Sequence, residues 1–467
     1  MEKNMAEIKR GKQNRKMNGR AEKYYGNSNK KSKTDNIKTK AKMEQNRCTT
    51  STKAKMEQNS LTISTKAEIK KVPPYENNGK GSASRNKVQS KCCVSHICGG
   101  CQYIDMPYEK QLALKQEQME QLLSSFGYVE KIIGMENPYN YRNKINVSFR
   151  RLKDGKIIAG RYEEGTHNVL SVEECYIEDK RASAIIKSIA ELIRSFKMQL
   201  YNEDTGTGLI RHVQIRTGCQ TGQIMVIIVT ASPVFPSKNN FAKALVKRHS
   251  EITTIVQNIN DKKTSMVIGA RNQVIYGKGF IEDILCGKRF HISPGSFYQV
   301  NPVQTEVLYR KAIKYADLKK KEVVIDAYCG IGTIGIIAAD RAKQVIGVEL
   351  NSAAIKDANI NCRMNKLENV DLYNNDAGKF MVDLAEQKEK IDVVFMDPPR
   401  SGSDEAFLSS VVKLAPKKVI YISCGPESLA RDLKYLTKNG YKVIMIQPVD
   451  LFPMTGHTEV ICSLVRV

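Results

Sequence analysis

Two residues near the end of the chain have the chemistry for a covalent reaction. They are Cys424, in Tyr421-Ile-Ser-Cys-Gly-Pro426, and Glu459, in His457-Thr-Glu-Val460. A thiolate is a strong nucleophile, and a free thiol with a pKa near ~8.5 needs only modest activation. Added to C6 of a pyrimidine, it makes C5 an enolate-like carbon able to attack an electrophilic methyl group. The C5 proton must then leave so that the thiolate can be expelled. A carboxylate at a strand mouth is the base for that step. Taken singly, the two residues read equally well as a core thiol and a cap. Their joint position downstream of a glycine-rich loop is what points to catalysis.

That loop is Asp326-Ala-Tyr-Cys-Gly-Ile-Gly-Thr-Ile-Gly335, which follows an apolar strand and opens a helix. Its G-x-G-x-x-G spacing lets backbone approach a nucleotide closely. Glu349 ends the next strand, 19 residues after Gly330, where a carboxylate can hold two ribose hydroxyls. These features serve NAD and S-adenosylmethionine alike. Asp326 ahead of the glycines and Asp397-Pro-Pro-Arg400 after the fourth strand favour S-adenosylmethionine, because an acid followed by two prolines makes a rigid rim beside a transferable methyl. A hydride-transfer enzyme would need an acceptor site, and no motif supplies one.

A third group is Cys92-x5-Cys98-Gly-Gly-Cys101 with a distant Cys175. Four thiols at this spacing can hold a [4Fe–4S] cluster or a zinc ion, and Cys93 competes with Cys92 as a ligand. Cys48, Cys219, Cys286, Cys329, Cys362 and Cys462 read as spare or core thiols.

The elements that must carry these residues follow from the apolar pattern. From about Ser293, helices alternate with strands at Val323–Ile325, Gln344–Val348, Val370–Tyr373, Asp392–Met396, Lys418–Ile422, Lys442–Ile446 and Glu459–Val465. Near-continuous apolar strands predict an α/β doubly wound, parallel sheet covered on both faces, with ligands beyond the carboxyl ends of its strands. Residues 91–290 read as a central α+β domain, with strands at Ile145–Phe149, Ile157–Tyr162, Val213–Arg216 and Ile224–Thr230 and a helix at Ala182–Phe196. Ahead of it, Tyr108–Phe126 reads as an amphipathic helix with Leu112, Met119, Leu122, Leu123 and Phe126 on one face. Residues 1–90 read as a disordered basic tail, poor in large apolar residues. In it Thr39-Lys-Ala-Lys-Met-Glu-Gln-Asn46 recurs at Thr52–Asn59.

The 467-residue chain carries a net charge of +25, of which residues 1–90 contribute 15 and the body the rest. Nucleic acid is the expected partner, since each phosphate neutralised releases counterions. No apolar run is long enough to span a bilayer, and the basic N-terminus lacks the apolar core of a secretory signal. A cytoplasmic setting with reduced thiols is expected, with no membrane and no obligate protein partner.

Together these motifs resemble the RNA uracil-C5-methyltransferase family, and within it the iron–sulfur branch that acts on 23S rRNA. The likeness runs from about Cys92 to Val467 and is most specific at Tyr141-Arg-Asn-Lys144, Ile292-Ser-Pro-Gly-Ser-Phe-Tyr-Gln-Val-Asn301, Asp397-Pro-Pro-Arg400, Ser423-Cys424 and His457-Thr-Glu459. The resemblance implies a Rossmann-like methyltransferase domain over 291–467, with the helix at 108–126 packed against it. It implies Cys424 as nucleophile, Glu459 as base, and Gln299, Tyr328, Glu349, Asp376 and Asp397 in contact with S-adenosylmethionine. It also implies Cys92, Cys98, Cys101 and Cys175 as ligands of a [4Fe–4S] cluster with a structural or RNA-docking role. The expected activity is methylation of C5 of a uridine in 23S rRNA. Methylation of the tRNA T-loop uridine, or a cluster-bearing RNA-binding protein without catalysis, stand as alternatives. The target base must be unstacked for attack at C6, and Arg142, Lys144, Arg150, Arg151 and Arg161 are candidate phosphate contacts. The chain departs from the family twice: Gly425 stands where relatives place Asn after the nucleophile, and the first 90 residues show no strand pattern of the small β-barrel with which many relatives begin.

Overall fold

The computed structural model of the protein describes residues 91–467, which fall within one compact unit, Arg85–Val467. The basic tail and its repeat, expected over residues 1–90, lie outside the described residues.

Two short elements lead in: α1 (Ser95–Cys98), a single turn between the cysteines, and α2 (Tyr108–Leu123). A seven-stranded sheet follows, built from β1 (Lys144–Arg151), β2 (Ile157–Tyr162), β3 (Val169–Ser171), β4 (Ile210–Thr217), β5 (Ile224–Thr230), β6 (Ile252–Ile259) and β7 (Arg271–Tyr276) in the order β3-β2-β1-β4-β5-β6-β7. Helices α3 (Lys180–Ser195) and α4 (Lys238–Arg248) cover one face of it with Ile185, Ile189, Ile193, Phe241 and Leu245. The register of β1 against β4 sets Lys144 opposite Arg216, Asn146 opposite Gln214 and Ser148 opposite His212. Because side chains alternate along strands, these six share the face away from Ile145, Val147, Val213 and Ile215. Along β1 and β4 one side of this sheet is thus an apolar core and the other a polar strip, which gives way on β5 to Met225, Ile227 and Val229 buried in a second apolar core. Beyond the expected strands, β3, β6, β7 and α4 are additions, and β4 extends further on both sides than Val213–Arg216.

A hairpin, β8 (Ile281–Leu285) and β9 (Lys288–Ile292), leads through α5 (Pro302–Ala316) into the second seven-stranded sheet. Its strands are β10 (Val323–Ala327), β11 (Gln344–Glu349), β12 (Val370–Asn374), β13 (Val393–Met396), β14 (Lys418–Ser423), β15 (Tyr441–Val449) and β16 (Glu459–Arg466). Between them run α6 (Thr333–Ala338), α7 (Ser352–Met364), α8 (Ala377–Glu386), α9 (Glu405–Leu414) and α10 (Pro426–Lys438). All seven apolar runs are strands, yet the sheet is mixed rather than parallel. Its order is β12-β11-β10-β13-β14-β16-β15, and β16 runs antiparallel to both of its neighbours. After β15 the chain doubles back and inserts β16 beside β14, so the last strand begins where β14 ends. Alternate residues feed two cores: Val324, Val345, Phe395 and Ile420 face α5–α7, while Ile325, Val394, Val419 and Tyr421 face α8–α10.

Helix α2 joins the second of these cores through Met119 and Leu123, each contributing roughly 1.5–3 kcal/mol by burial. It stops at Leu123, short of the expected Phe126, and its buried face is Gln111, Lys115, Met119 and Leu123 rather than the all-apolar set the pattern suggested. The reason is electrostatic. Lys115 Nζ sits 2.6 Å from Asp450 Oδ1 with both side chains fully buried, and Gln111 donates to the backbone carbonyls of Tyr103 and Met106. Among the described residues, no helix is long and apolar enough to cross a membrane.

Candidate active site

The nucleotide loop takes its shape from β10 and from three unusual backbone positions. Tyr328 (φ 63°), Gly330 (φ 55°) and Gly332 (φ 83°) are all left-handed, which turns the chain sharply between β10 and α6. Gly335 N donates to Asp326 Oδ2 at 2.7 Å, and a Cβ on Gly335 would lie 2.9 Å from that oxygen, so only glycine fits here. The other oxygen, Asp326 Oδ1, is buried without a partner, and burial pushes the carboxyl up to about 7. Glu349 accepts from Gly330 N at 3.1 Å and Asn351 N at 2.8 Å, one on each oxygen, and so braces the loop it was expected to serve as a ligand holder. Tyr328 packs on Phe407 with ring centroids 5.4 Å apart, and its hydroxyl meets Ser403 Oγ at 3.3 Å. Asp376 is the N-cap of α8, accepting from Lys379 N at 3.0 Å, a local task that accounts for its position.

Gln299 belongs to the loop between β9 and α5, which the first sheet holds in place. Arg216 donates to Ser293 O at 2.7 Å and Ser296 O at 2.5 Å, and Asn143 Nδ2 donates to Gln299 O at 3.1 Å. The fold brings in Tyr309, which the sequence reading did not single out. Its hydroxyl, on the inward face of α5, lies near the side chains of Gln299 and Thr333 and the Asp397 carboxyl. Tyr309 falls on the face of α5 shared by Thr305, Leu308, Ala312 and Ala316, a helical spacing that marked it as buried but not as polar contact.

The positions of Cys424 and Glu459 are set by strand register. Ser423 is paired with Val460 across antiparallel β14 and β16, which places Cys424 and Glu459 beside one another at the same sheet edge. Asp397 follows the end of β13, next to β14 in the parallel part of the sheet. The three groups feel one another. Burial pushes the Cys424 thiol up to about 11, with Glu459 and Asp397 adding and Arg400 opposing. Burial likewise pushes Glu459 up to about 8 and Asp397 up to about 7. Arg400 reaches over this group, its Nη2 3.4 Å from His457 Nε2. The site holds Asp326, Asp397, Glu459 and a thiol, with the Arg400 guanidinium opposing the charge on Cys424 and Glu459. That imbalance fits a ligand bearing a positive centre, as a sulfonium does, and such a charge would favour ionising the thiol. The residues present therefore fit S-adenosylmethionine.

Away from the crevice, Cys92, Cys98, Cys101 and Cys175 line one pocket together with Arg161 and Ile104, whereas Cys93 is exposed and takes no part in it. Burial pushes Cys101 up to about 12, with Cys175, Cys98 and Cys92 adding and Arg161 opposing. Among the described residues no three His, Cys, Asp or Glu side chains converge to hold a single metal ion. The segment after these cysteines abuts the loop leading to Glu459. Tyr103 N donates to Met454 O at 3.0 Å, Gly456 N donates to Gln102 Oε1 at 3.2 Å, and Tyr141 donates to Pro453 O at 2.9 Å. Of the candidate phosphate contacts, Arg161 is instead ion-paired with Glu178, and Arg151 donates to Met198 O; Arg150 remains exposed. The remaining cysteines divide: Cys329, Cys362 and Cys462 are buried, Cys286 is half-buried and Cys219 is exposed.

The profile of the family described as tRNA (uracil-5-)-methyltransferase matches residues 107–467. An RNA methyltransferase of uncharacterized function from Clostridium tetani is 42% identical over 382 residues, covering 81% of this chain and 83% of that protein. One from Oceanobacillus iheyensis is 38% identical over 409 residues, covering 85% and 88%. The crystal structure of Pyrococcus abyssi tRNA (uracil-54, C5)-methyltransferase in complex with S-adenosyl-L-homocysteine is similar at a TM-score of 0.66 and 28% identity, covering 79% of this chain and 87% of that one. The protein belongs to the tRNA (uracil-5-)-methyltransferase family.

Proposed function

We propose that this enzyme methylates C5 of a uridine in 23S rRNA, with Cys424 as nucleophile and Glu459 as base. Family membership carries the coarser activity, S-adenosylmethionine-dependent methyl transfer to uracil C5 in RNA. The observation that carries the assignment of roles is the Ser423–Val460 register, which sets thiol and carboxylate at one edge beside Asp397. When bound, S-adenosylmethionine supplies an electrophilic methyl group. The Cys424 thiolate adds to C6 of the uracil, and C5 takes the methyl as the carbon–sulfur bond of the donor breaks. Glu459 then takes the C5 proton, the C5–C6 double bond re-forms and Cys424 leaves as thiolate. Buried and held near pKa 8, Glu459 is a stronger base than an exposed carboxylate. Gln299, Tyr328, Glu349 and Asp397 line the cofactor side, and Asp376 has the weakest claim because it caps α8.

The choice of 23S rRNA rests on the cysteine pocket. Cys92, Cys98, Cys101 and Cys175 line one pocket, the thiol set a [4Fe–4S] cluster takes, and such a cluster marks the rRNA-modifying branch that the sequence resembles. Cys92, Cys98, Cys101 and Cys175 would hold it. Because Gln102 and Tyr103, just after Cys101, bond the 453–456 loop, a cluster held by these cysteines would brace the strand carrying Glu459. A second reading, methylation of the tRNA T-loop uridine, is favoured by the likeness to the Pyrococcus abyssi tRNA enzyme.

The experiment is to incubate anaerobically purified protein and methyl-labelled S-adenosylmethionine with unmodified 23S rRNA and, separately, unmodified tRNA. Label in 5-methyluridine from rRNA alone supports the proposal. Label from tRNA alone replaces it with the second reading, and label in neither overturns both.

A further inference from the structure

A pocket of about 580 Å3 opens on the polar face of the first sheet, and neither Cys424, Glu459 nor Asp397 lines it. That volume falls in the range of sites that hold small organic groups, about 300–1,000 Å3. Ser148 and His212 meet in it across β1 and β4, Ser148 Oγ lying 3.0 Å from His212 Nδ1. The Tyr162 ring meets His167 and His212 edge-on, at centroid distances of 5.5 and 6.2 Å. Asn146 accepts on its carbonyl oxygen from Gln214 Nε2 at 2.7 Å, which leaves its own amide hydrogens to donate. Gln214 Oε1, on the same sheet face, is buried without a partner.

The charge balance narrows what such a pocket takes. Arg142 and Arg161 line it, but so do Glu163, Glu164 and Glu203; Arg161 is already paired with Glu178 and Glu203 with Arg211, which leaves Arg142 against Glu163 and Glu164. A phosphate would meet more carboxylates than uncommitted cations. An apolar group would leave the Asn146 amide hydrogens unsatisfied, at a cost of about 1–3 kcal/mol. What remains is an uncharged, flat group with donor and acceptor edges. Burial holds His212 neutral, in keeping with a neutral ligand.

The pocket also lies on a route to the crevice. Lys144 is the next residue along β1 on the face of Asn146, and its Nζ stands 5.8 Å from the ring of exposed Phe297, in the loop that carries Gln299. We propose that this pocket receives one unpaired nucleobase of the RNA strand that flanks the target uridine, gripping it by its edge against Asn146 and Ser148 and by its face against Tyr162. This rests on the RNA substrate of the preceding reading. Unstacked bases are held in this manner, on aromatic rings and by their hydrogen-bonding edges.

Ultraviolet cross-linking of the full-length protein to 23S rRNA and to tRNA transcripts, followed by peptide mapping, is expected to place a nucleotide on the Arg161–His167 segment. In parallel, Asn146→Ala should weaken binding of the cross-linked RNA about tenfold, the worth of one lost hydrogen bond. The melting shift given by S-adenosylhomocysteine should stay unchanged, which shows the variant folded. Cross-links confined to the methyl-transfer crevice, or an unchanged affinity for Asn146→Ala, overturn the proposal. A melting shift with free AMP or UMP and no RNA cross-link overturns it too, leaving a small-nucleotide site. Methylation without the Arg161–His167 cross-link sinks the pocket alone. The cross-link without methylation of either RNA supports the pocket and sinks the reading of the activity.

Discussion

Gly425 and Arg400 approach so closely that no side chain fits between them. A Cβ on Gly425 would stand 2.6 Å from Arg400 O and 2.9 Å from Ser428 Oγ. Ser428 ties the same point together, donating from its hydroxyl toward Arg400 O at 2.9 Å and Gly425 O at 2.8 Å. The loop after the proposed nucleophile is therefore locked onto the Asp397–Arg400 rim by backbone contact. This accounts for glycine directly after Cys424. Gly425→Asn is expected to lose about 1–3 kcal/mol of stability by overpacking and to lower kcat, with the cofactor Kd little changed. Full activity and an unchanged unfolding midpoint in urea would show that the rim yields freely.

The buried Lys115–Asp450 pair joins α2 to the end of β15, and Tyr108 donates to the second Asp450 oxygen at 2.8 Å. Lys115→Met leaves a carboxylate buried without its cation and should cost about 3–5 kcal/mol. Lys115→Met combined with Asp450→Leu should recover much of that loss. Chemical denaturation of Lys115→Met, Asp450→Leu and the double variant gives the comparison, and a double variant as unstable as the sum of the two single losses refutes the pairing argument.

Glu459 gives the ligand-free protein a pH dependence of definite sign. Its folded pKa of about 8 lies above the ordinary 4.5, so the fold holds this proton more tightly than the unfolded chain does. Below pH 4.5 both states are protonated and the group adds no penalty. As pH rises toward 8 the unfolded chain ionises freely, the fold resists, and stability falls. Glu459→Gln should therefore melt higher than wild type at about pH 9, with the gap closing as pH falls to about 4.5. A gap that widens on acidification would contradict the buried, protonated state.

A positive centre in the crevice should favour the Cys424 thiolate. Thiolate absorbance, taken as the difference between wild type and Cys424→Ser, should titrate near 11 in the free protein. It should titrate lower with sinefungin, whose amine stands in for the sulfonium charge, than with uncharged S-adenosylhomocysteine. Equal midpoints with the two ligands would remove charge compensation as the means of activation.

Tyr309 is expected to position Gln299 rather than to react. Tyr309→Phe removes the polar group beside Gln299 and Thr333, and should raise the KM for S-adenosylmethionine by about tenfold while kcat changes less. A selective fall in kcat would instead place the hydroxyl in the chemistry.

For the cysteine pocket, anaerobically prepared protein should contain about four irons and four sulfides per chain, the content of the proposed cluster. Cys101→Ser should lose them and slacken the 453–456 loop, seen as faster hydrogen exchange there. Zinc in place of iron would replace the cluster assignment.

Much of the catalytic half was legible because its signals are local. The central strands, buried on both faces, are continuous apolar runs, and the edge strands β12 and β15 keep enough apolar residues that all seven appeared in the pattern; the G-x-G-x-x-G turn needs its left-handed glycines wherever it occurs. Strand direction was not legible, since an apolar run is the same read either way. The antiparallel insertion of β16 beside β14 is a choice of topology, and it alone sets Glu459 against Cys424, 35 residues away in sequence. Helix α2 shows the same division. Its helical period was visible, but its buried face turned on Lys115, whose partner Asp450 is 335 residues further on. Sequence alone determined which groups could react and which strands would carry them. Tertiary structure decided which of those groups share a low-dielectric crevice, because proximity and burial, rather than residue type, set their charges.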